Sequence, residues 1–432
     1  MLVRDRKARS YVFLVIVNKF LDALSDGKYR YMPVILGNLL AQSSLLVTGV
    51  ITARMLGPKG KGDFALITLV PVTLVQIVDL GVAKAVVYYA ANKHQNTGWI
   101  IKSLMKWVPF QIVLVEGIYA GVALRWLMSK TGVEYVAILL FPMVVIPFYI
   151  LRNYGSALLL GLKTYVLYSI VFASFPFLYV SWVLLIYFRD AFSLSALVSV
   201  WAVAHMLAGI LTVLIVFHSA SGITKHGHDN LGVPALLVFG VKGFLGNFNA
   251  IESYRIDQII ISFFLTPLQL GYYSVAITFI NMSKFINTTI GSLAQPEVAS
   301  QSNKYQAWKS AGRFVIVSVV TTLVAMSVLF VSAPLMVKLL FGNKYLPATP
   351  VVKLMLIYAV FVGVKRVVSD ALTGLGYPEI GSVSEVIALV TLIIASYFLV
   401  PSLSLTGMAL SMILSSITPL LYQVYKARIL QG

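Results

Sequence analysis

Between Ala235 and Gly271 an apolar run long enough to cross a bilayer carries Lys242, Glu252, Arg255 and Asp257, and Lys284 follows in the next apolar run. An ionised side chain at the centre of a membrane helix costs about 2.5–3.5 kcal/mol on insertion scales, so four facing lipid would cost on the order of 10 kcal/mol and nearly cancel the drive for insertion. These charges therefore face protein or water. An ammonium meets an anion as a point charge and a guanidinium meets an oxyanion as a bidentate fork. Lys242, Arg255 and Lys284 are the first candidates for that work, with Arg152, Lys365 and Arg366 as a second group. For Arg255 a pair with Glu252, three residues earlier, is the competing account. Glu116, His205, Glu252 and Glu385 also interrupt apolar runs. Each is suited either to bind a coupling H⁺ or Na⁺ or to neutralise a cavity cation.

The composition explains why such charges are rare. Of 432 residues 59% are hydrophobic and only 11% charged, against about 25% charged in soluble domains, and the mean hydropathy is +0.89. The expected fold is an all-α polytopic membrane protein with no room for a soluble domain. The net charge of +18 fits basic residues kept in cytosolic loops against anionic lipid, and no nucleic-acid motif accompanies it. Zero cysteines exclude disulfides, thiolate catalysis and cysteine metal sites. His226 and His228 have no further ligand pattern around them and read as part of a solvated loop, so no metal is expected. No glycine loop followed by Lys and Ser/Thr is present, which argues against a built-in ATPase. Neither enzyme activity nor a cofactor is expected.

Residues 1–32 form a basic segment, with Arg4, Arg6, Lys7, Arg9, Lys19, Lys28 and Arg30 around an apolar run too short to span, and read as a cytoplasmic interfacial helix. About twelve spans follow, near 33–55, 63–91, 104–128, 134–160, 164–188, 194–218, 235–264, 271–299, 312–334, 348–374, 380–400 and 405–425. Residues 219–234, SASGITKHGHDNLGVP, divide them as a polar linker into a six-helix lobe over 33–218 and another over 235–432. An even span count with a basic N-terminus and basic Lys426 and Arg428 puts both termini in the cytoplasm.

The halves repeat. At an offset of 209, LGNLLAQSS from Leu36 aligns with LGNFNAIES from Leu245, and LGPKGKGDFA from Leu56 aligns with LTPLQLGYYS from Leu265. At 213, Arg152 and Gly161 fall on Lys365 and Gly374. Pro58 and Pro267 are expected to end a helix at each hairpin. The first copy lacks the charges of the second: Lys242 faces Pro33, Glu252 faces Ser43, Arg255 faces Leu46, Asp257 faces Thr48 and Lys284 faces Val75. Along the eighth span Ser274, Thr278, Asn281, Lys284, Thr288, Ser292 and Gln295 recur at steps of three and four, a polar stripe that implies either a wet groove or helix-to-helix hydrogen bonding.

LGNLLAQSS leading into ARMLGPKGKGDFALI and VDLG, the stretch DQIIISFFLTPLQLGYYSVA, and LLFGNKYLPATPVVKLM followed by ALTGLGYPEIG together resemble the polysaccharide transporter (O-antigen flippase) branch of the multidrug/oligosaccharidyl-lipid/polysaccharide (MOP) exporter superfamily. The resemblance implies a MATE-like two-lobed fold in the cytoplasmic (inner) membrane. It also implies a cationic cavity between the lobes and a polyprenyl-diphosphate-linked oligosaccharide as cargo. Membrane lipid, polysaccharide assembly proteins and a monomeric state go with that expectation. Two rivals remain at this stage, a MATE-type small-molecule or drug antiporter and an integral membrane glycan polymerase or ligase. Organic cations would want acids in the cavity, and a polymerase would want an extracytoplasmic loop longer than the about 15 residues available here.

Overall fold

The computed structural model describes residues 32–91, 98–131, 136–220, 232–246 and 255–431, and these are helical nearly throughout. In chain order the helices are α1 (Met32–Asp79), α2 (Val82–Ala91), α3 (Gly98–Ile118), α4 (Leu124–Thr131), α5 (Val136–Gly161), α6 (Tyr165–Phe188), α7 (Leu194–Ala220), α8 (Gly232–Gly246), α9 (Ile256–Phe264), α10 (Pro267–Ala299), α11 (Lys304–Phe341), α12 (Thr349–Gly374) and α13 (Pro378–Gln431). A π-turn over Tyr119–Ala123 joins α3 to α4, and a 3-10 turn over Asn343–Ala348 precedes α12. Among the described residues seven helices are long and apolar enough to cross a membrane.

Two of those seven are hairpins. The 48 residues of α1 would reach about 70 Å if straight, twice the hydrocarbon thickness. Gly57, with a left-handed φ of 68°, breaks the helix. The Lys61 ammonium then comes within 2.7 Å of the Thr52 hydroxyl. In α13 the break is at Ser404, and the hydroxyls of Thr391 and Thr418 meet at 3.0 Å, where a straight helix would hold them about 40 Å apart. Gln423 donates to Ser384 across the same hairpin at 2.8 Å.

Three local expectations change. Pro267 is the first residue of α10, and Pro58 directly follows the break at Gly57. These prolines therefore open the second helix of each hairpin, where a missing N–H is harmless, instead of ending the first. The second span is interrupted by Leu80 and Gly81, with φ of 50° and 78°. The seventh is not one helix over 235–264, because Arg255 has left-handed φ/ψ (49°, 45°) and caps α9. Glu252, the expected partner of Arg255, lies outside the described residues.

Packing repeats the duplication. In the first half α1 packs on α6, α2 on α5, and α7 on α5 and α6; in the second half α12 packs on α10, α11 and α13. A Cβ at Gly161 of α5 would lie 2.7 Å from the Val87 carbonyl oxygen, and one at Gly374 of α12 would lie 2.5 Å from that of Gln295. Gln295 is one residue from the counterpart of Val87. The glycines let the fourth and tenth spans press on the backbone of the second and eighth in the same way. The helix α8 packs across this division, on α2 and α3, with Phe239 stacked on Tyr88 at 4.2 Å.

Candidate functional site

The two halves meet most tightly at the hairpin turns. Gly62 lies against the Pro267 carbonyl and Gly271 against the Pro58 carbonyl, so close that a Cβ on either would overlap the peptide opposite. Because Gly62 corresponds to Gly271 and Pro58 to Pro267, the contact is reciprocal, as at a two-fold axis. Arg54 donates from Nε to the Leu340 carbonyl at 2.7 Å and from Nη to that of Leu339. A cation there satisfies the last turn of α11, where carbonyls have no helical partner. The Tyr345 hydroxyl donates to the Ala53 carbonyl at 3.1 Å, and Lys130 donates to that of Phe263 at 2.9 Å. This end is closed by backbone contact and four hydrogen bonds.

From the closed end α10 descends with its polar stripe. Leu270, Tyr273, Ala276 and Phe279 are buried against neighbours. On the stripe Ser274 and Thr278 are half-buried, whereas Asn281, Thr288 and Gln295 are exposed. Ser274 and Thr278 bond back to carbonyls of their own helix. Hydrogen bonding between helices occurs instead on another face of α10, where Ser318 and Thr322 donate to the buried Asn287 at 2.8 and 2.9 Å. The stripe widens from a packed seam into open surface away from the hairpins.

The candidate cations divide into three situations. Arg255 is exposed at the start of α9, while the side chains of Lys242 in α8 and Lys284 in α10, and the whole of Glu252, lie outside the described residues. Lys365 is buried and paired with Glu385 at 2.7 Å, and Arg366 lies 3.8 Å from Asp370 one turn on. Thus one candidate cation and one candidate ion-coupling acid are partners. Arg152 sits over the rings of Tyr149 and Phe175, 5.5 and 5.1 Å from their centroids. His205, 2% exposed, stacks on the same Phe175 at 3.7 Å and meets Tyr149 and Trp201 at 5.6 and 5.0 Å. The structure therefore brings Arg152 and His205 into one aromatic cluster inside the first half. Glu116 is half-buried in α3, apart from both groups.

Asp257 has a partner of its own. It is buried and accepts from the Tyr273 hydroxyl at 2.7 Å. Asp79 of the VDLG stretch has a comparable post in the first half, although no function was expected of it. Its carboxylate accepts from the Ala83 N–H at 3.3 Å, capping α2 after the Leu80–Gly81 break. The Tyr154 hydroxyl reaches the same carboxylate, donates to Gln111 at 2.8 Å and receives the Trp107 indole N–H at 3.0 Å. The signal that could have found it is an acid just before a glycine turn and a new apolar run, the position of a helix N-cap.

Residues 51–350 match the model of the family described as "Polysaccharide biosynthesis protein". The chain belongs to that family. No curated protein matches by sequence. Among solved structures this polysaccharide biosynthesis protein is similar to lipid II flippase MurJ in an inward closed conformation, with a TM-score of 0.73 at 13% identity over 91% of this chain and 87% of that one. It is also similar to an inward-facing multidrug resistance MATE family transporter of the MOP superfamily, at 0.66 and 12% over 90% and 94%. The eukaryotic MATE transporter AtDTX14 scores 0.61 at 14% over 93% and 95%. The resemblance read from the motifs is borne out: the protein is a multi-pass helical membrane protein with the fold of the MOP superfamily.

Proposed function

We propose that this polysaccharide biosynthesis protein is a flippase, moving a polyprenyl-diphosphate-linked oligosaccharide across the cytoplasmic membrane by alternating access. The observation that carries the reading is the α10 stripe, half-buried at Ser274 and Thr278 beside the closed hairpins and exposed at Asn281, Thr288 and Gln295. A polar groove that ends at a backbone-sealed turn holds sugars in water on one side of the barrier and denies them the other side. With both termini cytoplasmic the sealed hairpins are extracytoplasmic, so this state receives cargo from inside. Lys242, Arg255 and Lys284 meet the diphosphate and the prenyl chain stays in lipid, while the family supplies the glycan context and the MurJ neighbour a precedent for lipid-linked cargo. Coupling falls to an H⁺ or Na⁺ at Glu116, His205, Glu252 or Glu385. Because Glu385 already neutralises Lys365, ion binding there would have to compete with that pair.

In proteoliposomes, the protein should move a fluorescent polyprenyl-diphosphate oligosaccharide between leaflets. Reversal of Lys242, Arg255 or Lys284 singly to Glu should lower that rate at least about tenfold, without loss of protein from the membrane. Unchanged rates would remove the proposed site. Movement of organic cations without the glycan lipid would favour the MATE-type antiporter instead.

A further inference from the structure

The two copies hold a cation at one corresponding place and treat it differently. At the offset of 213, Lys365 corresponds to Arg152 and Glu385 to Phe172. In the second copy the Lys365 ammonium is neutralised by the Glu385 carboxylate at 2.7 Å. In the first copy no acid pairs with Arg152 among the described residues. Arg152 has ring faces on Tyr149 and Phe175, and its buried Nε has no hydrogen-bond partner. The guanidinium is half-buried, with its Nε sealed from solvent; a shielded cation without a counter-charge is disfavoured, and ring quadrupoles offset only part of the loss.

Tyr149 and His205 beside Arg152 can each offer a donor. Gln76 donates to the Tyr149 hydroxyl oxygen at 3.4 Å, which leaves the Tyr149 hydroxyl proton free. The buried His205 Nδ1 is unpartnered, and an N–H there is available in one tautomer. The rings of Tyr149 and Phe175 touch both Arg152 and His205. What this arrangement lacks is a compact negative charge.

We propose that Arg152, Tyr149 and His205 bind a small inorganic monoanion of the halide class inside the first half, doing there what the Glu385 carboxylate does in the second. The guanidinium supplies the charge and the Nε–H, the phenol a second donor, and the rings of Phe175 and Trp201 apolar walls. The site is separate from the α10 stripe and does not depend on the flippase reading.

The test uses full-length protein in neutral-lipid nanodiscs, with chloride replaced ion for ion by gluconate. Chloride or bromide should raise the melting temperature by about 2–4 °C over gluconate, the shift expected when an anion saturates a native site. Arg152→Gln should abolish that difference and Tyr149→Phe should shrink it. Crystals grown in bromide should show anomalous density against Arg152. Equal melting in chloride and gluconate, or a shift that survives Arg152→Gln, would overturn the proposal. If Arg152→Gln does not fold, the wild-type ion comparison and the bromide density still decide it. An Arg152-dependent shift with inorganic pyrophosphate but not with halide would also sink it, by assigning Arg152 to the diphosphate.

Discussion

Arg152 and Lys365 fill equivalent positions in the two halves, yet one is held by aromatic faces and the other by a carboxylate. The duplication kept a cation on the fourth and tenth spans and let its surroundings diverge. A second pair of regions diverged in the same manner. In the first hairpin Thr48, bonded back to the Ser44 carbonyl, corresponds to Asp257, and Phe64 corresponds to Tyr273. A phenyl ring needs no acceptor, whereas a buried phenol does, so the second copy carries an acid at 257 to meet the hydroxyl it acquired at 273. Charges in the second half therefore do not all belong to transport. Some complete polar groups that the first half never had.

The largest break in the comparison should come from Glu385→Gln. It leaves the Lys365 ammonium, 5% exposed, without its counter-charge, a loss of about 3–5 kcal/mol for a buried pair stripped of one member. Purified in detergent, the variant should melt well below the wild type. The double variant Lys365→Met with Glu385→Leu should recover most of the difference, since removing both charges also removes the desolvation penalty. A single variant as stable as wild type would mean that the pair is wet and carries little.

The next effect is smaller and tests whether the Asp257–Tyr273 pair is structural. Tyr273→Phe removes a hydrogen bond from the buried carboxylate and should cost about 1–3 kcal/mol. Adding Asp257→Thr recreates the first copy's Thr–Phe combination and should restore stability and leave flipping intact. Lost flipping in a stable double variant would show that Asp257 acts in transport.

How much of this was legible in the sequence follows from the range of each interaction. Span positions were readable because a membrane demands long apolar runs, and the offset of 209 located both hairpins. The break at Arg255 was not, since a non-glycine residue with positive φ carries no composition signal. Arg54 bonds carbonyls 285 and 286 positions away, which no local pattern reports. Lys365 was named as a cation for substrate and Glu385 as either an acid for ions or the neutralising partner of some cation; only the packing of α12 on α13 shows which cation that is. The internal alignment did hold one unread clue, that Glu385 faces an aromatic residue in the first copy.

The finest test concerns a place where the halves are still alike. Gly62 and Gly271 touch each other's proline carbonyl, whereas Gly121, on the π-turn after α3, has nothing within 4 Å of an added Cβ. A methyl overlapping a backbone carbonyl cannot escape by changing rotamer, so the hairpins must separate. Gly62→Ala and Gly271→Ala should therefore weaken closure by similar amounts, and Gly121→Ala should leave it unchanged. The absence of native cysteines allows a clean readout by a short bismaleimide between Trp126→Cys and Phe263→Cys, whose rings lie 5.2 Å apart across the halves. Cross-linking should fall about tenfold in each hairpin variant, equivalent to about 1.4 kcal/mol of closure. If only one of the two glycines mattered, the reciprocity of the contact would fail, and the hairpins would have diverged in function as their neighbours have.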